Sequence, residues 1–599
     1  MRPATAPSPL ARDGARTPWL RTSHEAVAVV GACALFALLA GLRAARQAYP
    51  YFDDVTYLEL GSQIRDLGGP LGLLRELLAG RFAEANRHPL YLAVIGIFGR
   101  PEEGFFREAQ ALNVALGVVA IVSCWWTARR HFGRLAGLFT ILALAVGRTL
   151  LESASRPWCE PLLLAVWARA VDAILEGLDP AAGRPARALL RAGVWSGLAF
   201  LAKGTGMFLP MSLGLTLLVR ERARILRDPR AWGFALAFLV TASPLLVRNQ
   251  RLFGSPLYNQ NSRYLWMDRL PDYAEVFAPG ADALLPHGFV DYVRHVTPGA
   301  LAWRFAAGLG ETIVILLDAV APDAEHVGGP LHVAAILAAL LVVAVALRWL
   351  WRLPRGATRT FLLVHAGWSF GFLFIFSVNG GNSRYFLPLA GTVLLPAAAA
   401  RLAEEAARAG SLLRSRWVLR AGAVLGAAVA GALLVEPDVA LHQPGMREVQ
   451  AWLVEHLAEG DVYAVDARTH LQPSWLAPRA HQVVVSASWA EKPVAETALL
   501  EHLRRHRVRF VVLDASSMAH LASPGDPAGR RYLFYDRLPL APDGALAAGP
   551  FPGGLRAAYR DPATPCRWMV LETPWARAAA SEDAAAARER PLETSGLAK

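Results

Sequence analysis

The sequence is poor in charge and nearly empty of lysine. Of its 599 residues, 18% are charged and 54% are hydrophobic, and the mean hydropathy is +0.31. A soluble protein usually carries charge on about a quarter of its residues. The apolar runs recur at about 20 residues, which is the length that crosses a hydrocarbon core, so the chain is predicted to be a polytopic membrane protein. Lysine occurs only at positions 203, 492 and 599.

The sequence lacks the motifs of metal, redox and nucleic-acid sites. The four cysteines, Cys33, Cys124, Cys159 and Cys566, are far apart and show no metal or redox spacing. The C-terminal part, about 440–580, has no glycine-rich phosphate loop, so no nucleotide site is predicted there. The net charge of +12 comes mostly from arginines in short loops between apolar runs. This distribution follows the positive-inside rule and does not indicate nucleic-acid binding.

The apolar runs predict an α-helical membrane protein with about eleven transmembrane helices. The arginines before the first run are compatible with a signal peptide, but no convincing cleavage site follows, so we predict a retained first helix after a cytoplasmic segment, 1–24. The predicted spans are 25–45, 106–128, 134–150, 158–178, 189–203, 205–220, 231–249, 331–349, 360–378, 385–402 and 417–436.

Arginine-rich loops set the predicted orientation. With a cytoplasmic N-terminus, the five loops richest in arginine all fall on the inner side. Two further apolar stretches, 89–99 and 301–320, would break this alternation, and we predict both as interfacial helices at the outer face. A first outer loop (46–105) and a large outer loop (250–330) then face the extracytoplasmic side, as does everything after 437. We expect the membrane to be a bacterial plasma membrane.

The C-terminal part has a different pattern. "MREVQAWLVEHLAEG" predicts a helix, and "DVYAVDA", "HQVVVSA" and "VRFVVLDA" predict short buried strands, with a helix near 494–506 between the last two strands. Together they predict a small extracytoplasmic α/β domain over 440–577. The tail, 578–599, has the composition of a disordered segment.

An acidic pair, Asp53 and Asp54, follows the first predicted span in "YFDDVTYLEL". Two adjacent carboxylates at a low-dielectric rim repel each other, which raises at least one pKa and favours a general base or a cation site. The alternative is a helix cap for the segment that follows. Spacing alone does not separate these hypotheses.

Several basic residues lie at the same predicted face. Arg87 and His88 precede Pro89, where a helix start could bind an anion or simply be capped. Lys203 lies between two apolar helices, either as a functional cation or as a lysine that snorkels to the interface. Arg248 ends one predicted span, and Arg384 and Tyr385 open another. Each of these signals is weak alone.

Taken in order, these motifs resemble one superfamily. The acidic pair, "HPL", "GLAFLAK", "RNQRLFGSP" and "SRYFLP" resemble the GT-C glycosyltransferases that use polyprenyl-phosphate sugars. The nearest branches are the protein O-mannosyltransferases and the aminoarabinose transferases that modify lipid A. The resemblance covers residues 25–436, and here Asp54 replaces the usual Glu and His88-Pro89-Leu90 has lost one proline.

The resemblance implies roles for these residues. Asp53 corresponds to the catalytic base and Asp54 to a supporting carboxylate. The donor phosphate is expected to contact Arg87, His88, Lys203, Arg248, Arg384 and Tyr385. The implied reaction is inverting transfer of a sugar to a lipid, glycan or protein hydroxyl, and it requires no metal, although an Asp pair could hold a divalent ion.

Two other functions remain open from the sequence. Many helices would suit a lipid or polysaccharide flippase or transporter, but such proteins usually bury charge near the bilayer midplane and often show two similar halves. The informative residues here lie at one predicted face instead. A catalytically inactive sensor or scaffold is the third hypothesis, and the presence of both aspartates argues against it.

Overall fold

The structure is a computed structural model, and it is mostly helical. It describes residues 22–47, 49–50, 53–181, 183–259, 266, 289–320, 330–376, 382–409, 445–466, 476, 481–485, 496–514, 551–562 and 566–575. The predicted span 417–436 and the tail 578–599 lie outside these residues.

Helices occupy most of the other predicted spans. The segments before residue 254 are α1 (Thr22–Arg46), α2 (Asp53–Asp66), α3 (Gly69–Ala79), α4 (Pro89–Ile95), α5 (Glu103–Phe132), α6 (Arg134–Ala145), α7 (Arg148–Ser155), α8 (Glu160–Leu178), α9 (Pro185–Ala202), α10 (Phe208–Glu221) and α11 (Pro229–Phe253). The later ones are α12 (Phe289–His295), α13 (Pro298–Val320), α14 (Pro330–Arg352), α15 (Ala357–Phe376) and α16 (Leu395–Ala409). A short helix (Leu387–Leu389) and a π-helical turn (Ala390–Leu394) lead into α16.

Five helical segments of the described chain are long and apolar enough to cross a membrane, or six if the bent pair α6 and α7 is one span. Helix α13 is one of the five, so its length and hydropathy suit a span, in contrast to the interfacial position expected for 301–320. That expectation came from the alternation of arginines and not from the segment's own hydropathy. Helix α4 has only 7 residues, which is too short to span.

The predicted span 134–150 is broken. Helix α6 ends at Ala145, and α7 begins at Arg148 after a bend of 56°. Gly147 adopts an extended conformation between them. Helix α7 carries Arg148 and Glu152 and is only 8 residues long, so the apolar pattern that predicted one helix stops where the chain turns.

Small residues let α9 and α11 lie close together. A Cβ added to Gly193 would come within 2.3 Å of the Phe234 carbonyl oxygen, and one added to Gly197 would come within 2.6 Å of the Thr241 side chain. Two glycines four residues apart form the kind of contact surface that membrane helices use. This packing fixes the C-terminal end of α9, and with it Lys203, beside α11.

The C-terminal strands form one mixed sheet. They are β1 (Val462–Asp466), β2 (His481–Val485), β3 (Val508–Asp514), β4 (Arg556–Arg560) and β5 (Trp568–Glu572), in the order β2-β1-β3-β5-β4. β1 is parallel to β2 and β3, whereas β5 is antiparallel to β3 and β4. α17 (Met446–His456) packs on one face through Val449 and Leu453, and α18 (Glu496–Arg505) packs on the other through Leu503. The two helices and β1, β2 and β3 occur where the sequence predicted them, whereas β4 and β5 were not predicted.

Candidate active site

Five breaks between helices bring charged side chains together at one end of the bundle, called here the site end. Asp53 opens α2, and Arg87 lies just before α4. Glu160 opens α8, Lys203 follows α9, and Arg384 lies in a short turn of 3-10 helix, Ser383–Tyr385. Backbone at helix ends can turn a side chain into a shared space, which the body of a packed helix does not allow as readily.

Asp53 lies between two guanidinium groups. Its Oδ1 accepts a very short hydrogen bond from Arg87 Nη2, and its Oδ2 accepts one from Arg384 Nη2 at 3.0 Å. Burial alone would raise the pKa of this carboxyl, but the charges of Arg87 and Arg384 outweigh it and lower the pKa to about 2. Asp53 is therefore ionised, and its side chain keeps 30% exposure.

Asp54 has the opposite environment. It is fully buried, and its Oδ2 accepts a hydrogen bond from Gln47 Nε2 at 2.8 Å. Burial, followed by the adjacent charge of Asp53, raises the pKa of Asp54 well above its usual value. The pair is thus split into an ionised and a readily protonated carboxyl. Both residues lie in the first turn of α2.

Glu160 is a site residue that the sequence reasoning missed. Its Oε1 lies 2.5 Å from Lys203 Nζ and 3.5 Å from Arg384 Nε, and the side chain is only 3% exposed. One carboxylate therefore holds two cations that come from distant parts of the chain. The available signal was an acidic residue at the start of an apolar span, since an ionisable group there needs a partner.

Aromatic rings support all three cations. The Arg384 guanidinium lies 4.4 Å from the centre of the Trp158 ring, and Lys203 Nζ lies 4.5 Å from that of Tyr385. Arg87 lies 5.4 Å from the centre of the Tyr57 ring. Such contacts favour a cation at partly desolvated sites. Tyr385 therefore lies beside two of the three cations, Lys203 and Arg384.

His88 is placed differently from the phosphate-binding cation that the resemblance implied. Its Nδ1 lies 2.5 Å from the Phe200 carbonyl oxygen, so Nδ1 must carry the proton that is donated. Burial is the main cause that lowers the pKa of His88 to about 4. The ring is neutral near pH 7 and fastens the start of α4 to the end of α9.

Arg248 is also turned away from Asp53. Its Nη1 donates to the carbonyl oxygens of Phe82, at 3.3 Å, and of Glu84, at a shorter distance. These carbonyls belong to residues 81–87, called here the strap, which joins α3 to α4 and carries Arg87 at its end. Arg248 is almost fully buried, so in this structure it holds the strap in place.

The buried side-chain amide of Asn113 fixes the segment before α8. Asn113 Nδ2 donates to the carbonyl oxygens of Trp158 at 2.7 Å and Ser153 at 3.3 Å, and more closely to that of Arg156, while its Oδ1 accepts from the Tyr91 hydroxyl at 2.8 Å. Through these carbonyl oxygens Asn113 orients Trp158, two residues before Glu160. The apolar pattern of α5 does not reveal this role, because it depends on partners 40 or more residues away.

The site carries a small surplus of positive charge. The ionised carboxylates of Asp53 and Glu160 face three cations, Arg87, Lys203 and Arg384, which leaves one net positive charge. Within the described part of the chain, no group of three or more His, Cys, Asp or Glu side chains is arranged to hold a metal ion. The surplus therefore comes from side chains and suits an anionic group such as a phosphate.

Part of the chain matches a known protein family. Residues 93–247 match the family described as dolichyl-phosphate-mannose-protein mannosyltransferase. No curated protein matches the sequence.

Solved structures share the fold at low identity. The oligosaccharyltransferase AglB from the archaeon Archaeoglobus fulgidus, in complex with an inhibitory peptide and a dolichol-phosphate, is 13% identical with a TM-score of 0.52, over 88% of this chain and 74% of that one. The same enzyme tethered to an acceptor peptide is 13% identical with a TM-score of 0.53, over 84% and 71%. A weaker similarity, too low to show a shared fold, is found to ArnT from Cupriavidus metallidurans bound to undecaprenyl phosphate, at 15% identity and a TM-score of 0.41 over 92% of this chain and 98% of that one. The family match and the shared fold confirm the resemblance to the GT-C glycosyltransferases.

Proposed function

From this GT-C fold and the family match, we propose that the protein is an integral membrane glycosyltransferase that transfers a sugar from a polyprenyl-phosphate donor to an acceptor hydroxyl. The observation that carries the proposal is the position of Arg384. It bonds the ionised Asp53 on one side and lies 3.5 Å from Glu160 on the other, with Lys203 on the same glutamate. A base and a set of phosphate-binding cations thus adjoin each other.

The donor phosphate would lie among Arg87, Lys203 and Arg384. These side chains are only 15–21% exposed, so their attraction for an anion is less weakened by water than at an open surface. As the sugar leaves, the phosphate gains negative charge, and cations held in place beforehand stabilise that charge in the transition state.

Asp53 would take the proton of the acceptor hydroxyl. The hydroxyl oxygen forms a bond to the anomeric carbon, and the bond from that carbon to the phosphate oxygen breaks, so that its electron pair leaves with the polyprenyl phosphate. Attack opposite the leaving group inverts the anomeric centre. Since the oxygen gains a bond and loses a proton, the step balances without a metal or a second cofactor.

A carboxylate with a pKa of about 2 is a weak base, and donor binding would change that. Arg87 and Arg384 lower the pKa of Asp53 because both bond to it. A donor phosphate would share these guanidinium groups and weaken their hold on the carboxylate. The basicity of Asp53 then rises toward that of an ordinary aspartate once the donor is bound.

The test is Asp53→Asn in protein reconstituted with polyprenyl-phosphate sugars. General-base catalysis contributes about 10²–10⁴-fold, so transfer should fall by at least two orders of magnitude while undecaprenyl phosphate still binds. Asp66→Asn, at the exposed far end of α2, is the matched control and should leave the rate unchanged. Full activity of Asp53→Asn would refute the mechanism. A flippase would move lipid between leaflets and transfer no sugar.

We also propose that the site end faces the extracytoplasmic side of a bacterial plasma membrane. The arginine-rich loops at the other ends of the helices support this orientation. Asp66→Cys in whole cells should react with a membrane-impermeant maleimide, and Arg187→Cys, in a predicted inner loop, should not. The reverse labelling would place the site on the cytoplasmic side.

A further inference from the structure

A second concavity lies beside the site, between α2 and the strap, and is called here the groove. Its volume is about 430 Å³, within the range of pockets that bind small ligands. Its lining includes Leu60 and Gln63 of α2, Leu67 directly after α2, Glu76 of α3, and Phe82 and Glu84 of the strap. None of the cations proposed to bind the donor phosphate lines it.

Both walls of the groove continue to Asp53. Leu60 follows Asp53 by seven residues, which is about two helical turns, so both residues lie on the same face of α2 about 10 Å apart. On the other wall, the strap ends at Arg87, which bonds Asp53. A molecule lying in the groove is therefore about two helical turns from the carboxylate that is proposed as the base.

The strap wall is held in place by α11. Arg248 donates to the carbonyl oxygens of Phe82 and Glu84, and Arg251 Nη1 donates to that of Leu78 at 2.6 Å. A Cβ added to Gly80 would come within 2.6 Å of the Arg251 side chain, so the turn between α3 and the strap also packs tightly on α11. The groove is consequently formed before any ligand binds.

The charge of the groove is opposite to that of the donor site. Glu76 bonds Arg81 through two hydrogen bonds of 2.7 Å, so these two charges compensate each other. Glu84 accepts from the backbone N–H groups of Asn86 and Arg87 and adds a formal negative charge. The lining residues themselves therefore carry one net negative charge and offer a phosphate group no net attraction.

The remaining lining suits hydroxyl groups. The carboxylate of Glu84 accepts hydrogen bonds, and the amide of Gln63, which is exposed, both donates and accepts them. Leu60 and Leu67 are half-buried and offer apolar contact beside these polar groups. A sugar ring has the same combination of hydroxyl groups and apolar C–H faces.

We propose that the groove binds the acceptor, and that this acceptor is an uncharged saccharide and not a phosphorylated headgroup. The inference rests on the proposed transferase function. The saccharide would lie along α2 with one hydroxyl at Asp53, which takes its proton while the oxygen attacks the donor sugar.

The experiment uses full-length protein in nanodiscs, loaded with undecaprenyl phosphate. Saturation-transfer NMR would be recorded with the methyl glycosides of mannose, glucose and N-acetylglucosamine, and with mannose 6-phosphate. We expect saturation transfer to at least one neutral glycoside and at least a fivefold weaker effect for the phosphate ester. Gln63→Trp, which fills the groove, should abolish the signal. Leu71→Trp, at a 79% exposed position on α3, is the matched control and should retain it.

The outcomes separate this inference from the proposed function. If undecaprenyl phosphate binds but no neutral glycoside gives a signal sensitive to Gln63→Trp, the groove proposal fails alone. It also fails if mannose 6-phosphate binds as well as the neutral glycosides and is displaced by the same substitution. If undecaprenyl phosphate itself does not bind, the proposed donor site, and with it the transferase function, is refuted.

Discussion

Two ends of α8 carry buried carboxylates, and their surroundings differ. At the site end, Glu160 pairs with Lys203 and Arg384. Near the opposite end, Asp172 lies 2.8 Å from His131 Nε2 and 3.2 Å from Arg130 Nη1. Because both clusters pair buried acids with cations, pairing alone does not identify a functional site.

The two clusters differ in the part of the fold that supplies the cations and in the solvent exposure of those cations. The partners of Asp172 belong to the bodies or last turns of long helices, and Arg130 keeps 40% exposure. The partners of Glu160 come from breaks between helices, and Arg384 keeps 16%. Ion pairs between helix bodies fasten helices together, whereas charges at helix breaks, shielded and next to a groove, remain able to meet a ligand.

Replacing the central cation at each end gives the largest expected contrast. Arg384→Gln should lower transfer by about 10²–10³-fold, because preorganised charge at the leaving phosphate is lost. Arg130→Gln should leave the rate near wild type and cost about 1 kcal/mol of stability or less, since Arg130 is partly exposed. Initial rates and thermal unfolding midpoints measure both. An equal loss of activity in the two variants would remove the distinction between the ends.

Replacing Glu160 gives a sharper test, because two arguments predict opposite changes in the affinity for undecaprenyl phosphate. A simple count of charge predicts that Glu160→Gln binds undecaprenyl phosphate more tightly, because one negative charge is removed. We expect binding about tenfold weaker, or about 1.4 kcal/mol, because Lys203 and Arg384 lose their shared anchor.

Asp172→Asn is the control for this substitution at the opposite end. It removes an equally buried negative charge, but its cations do not face the site, so lipid-phosphate affinity should not change. Dissociation constants for undecaprenyl phosphate in nanodiscs decide between the arguments. Tighter binding by Glu160→Gln would show that Glu160 only opposes the phosphate and does not position its ligands.

Much of this arrangement was predictable from the sequence. Hydropathy located most helices of the described chain, and alternation located β1, β2 and β3. Ionisable groups at membrane depth are costly and usually functional, and this principle identified four residues that the structure brings together: Asp53, Arg87, Lys203 and Arg384. Such patterns succeed because helices in lipid must be apolar and continuous.

The rest depends on partners that a local pattern cannot supply. His88 and Arg248 have the residue types of phosphate ligands, but both bond to backbone carbonyl oxygens. Asn113 likewise bonds to backbone carbonyl oxygens and so orients the segment before α8, and the sequence pattern of its own helix, α5, does not indicate this role. Backbone carbonyls are present at every residue, so the sequence does not show which of them a side chain will meet.

Isosteric substitution can distinguish the roles of the two aspartates at the site end. The expected effect on the transfer rate is smaller for Asp54 than for Asp53. Asp54→Asn should retain most of the activity, because burial raises the pKa of the native carboxyl toward the neutral form that the amide imitates, and an amide oxygen can still accept from Gln47. Asp54→Ala should instead cost about 1–3 kcal/mol of stability, since the buried Gln47 amide loses the closer of its two acceptors and keeps only the Tyr49 carbonyl oxygen at 3.3 Å. Rates and unfolding midpoints of both variants are the measurement. A rate for Asp54→Asn as low as that of Asp53→Asn would make Asp54 part of the chemistry.

A pH dependence of stability is also expected at the site end. Because the pKa of His88 is lowered to about 4, the unfolded chain binds a proton between its ordinary value near 6.5 and pH 4 while the folded protein does not. More protons on the unfolded state mean that stability falls on acidification through this window, by up to about 1.4 kcal/mol per pH unit.

His88→Asn isolates this contribution, because the amide can still donate to the Phe200 carbonyl oxygen but cannot titrate. We expect the unfolding midpoint of the variant in detergent to decline less steeply than that of wild type from pH 6.5 to pH 4.5. Asp53 does not interfere, since its lowered pKa stabilises the fold above about pH 4 and that stability is lost only as the pH falls toward 2. Equal slopes would mean that His88 binds a proton in the folded protein, and it could then face a phosphate as a cation after all.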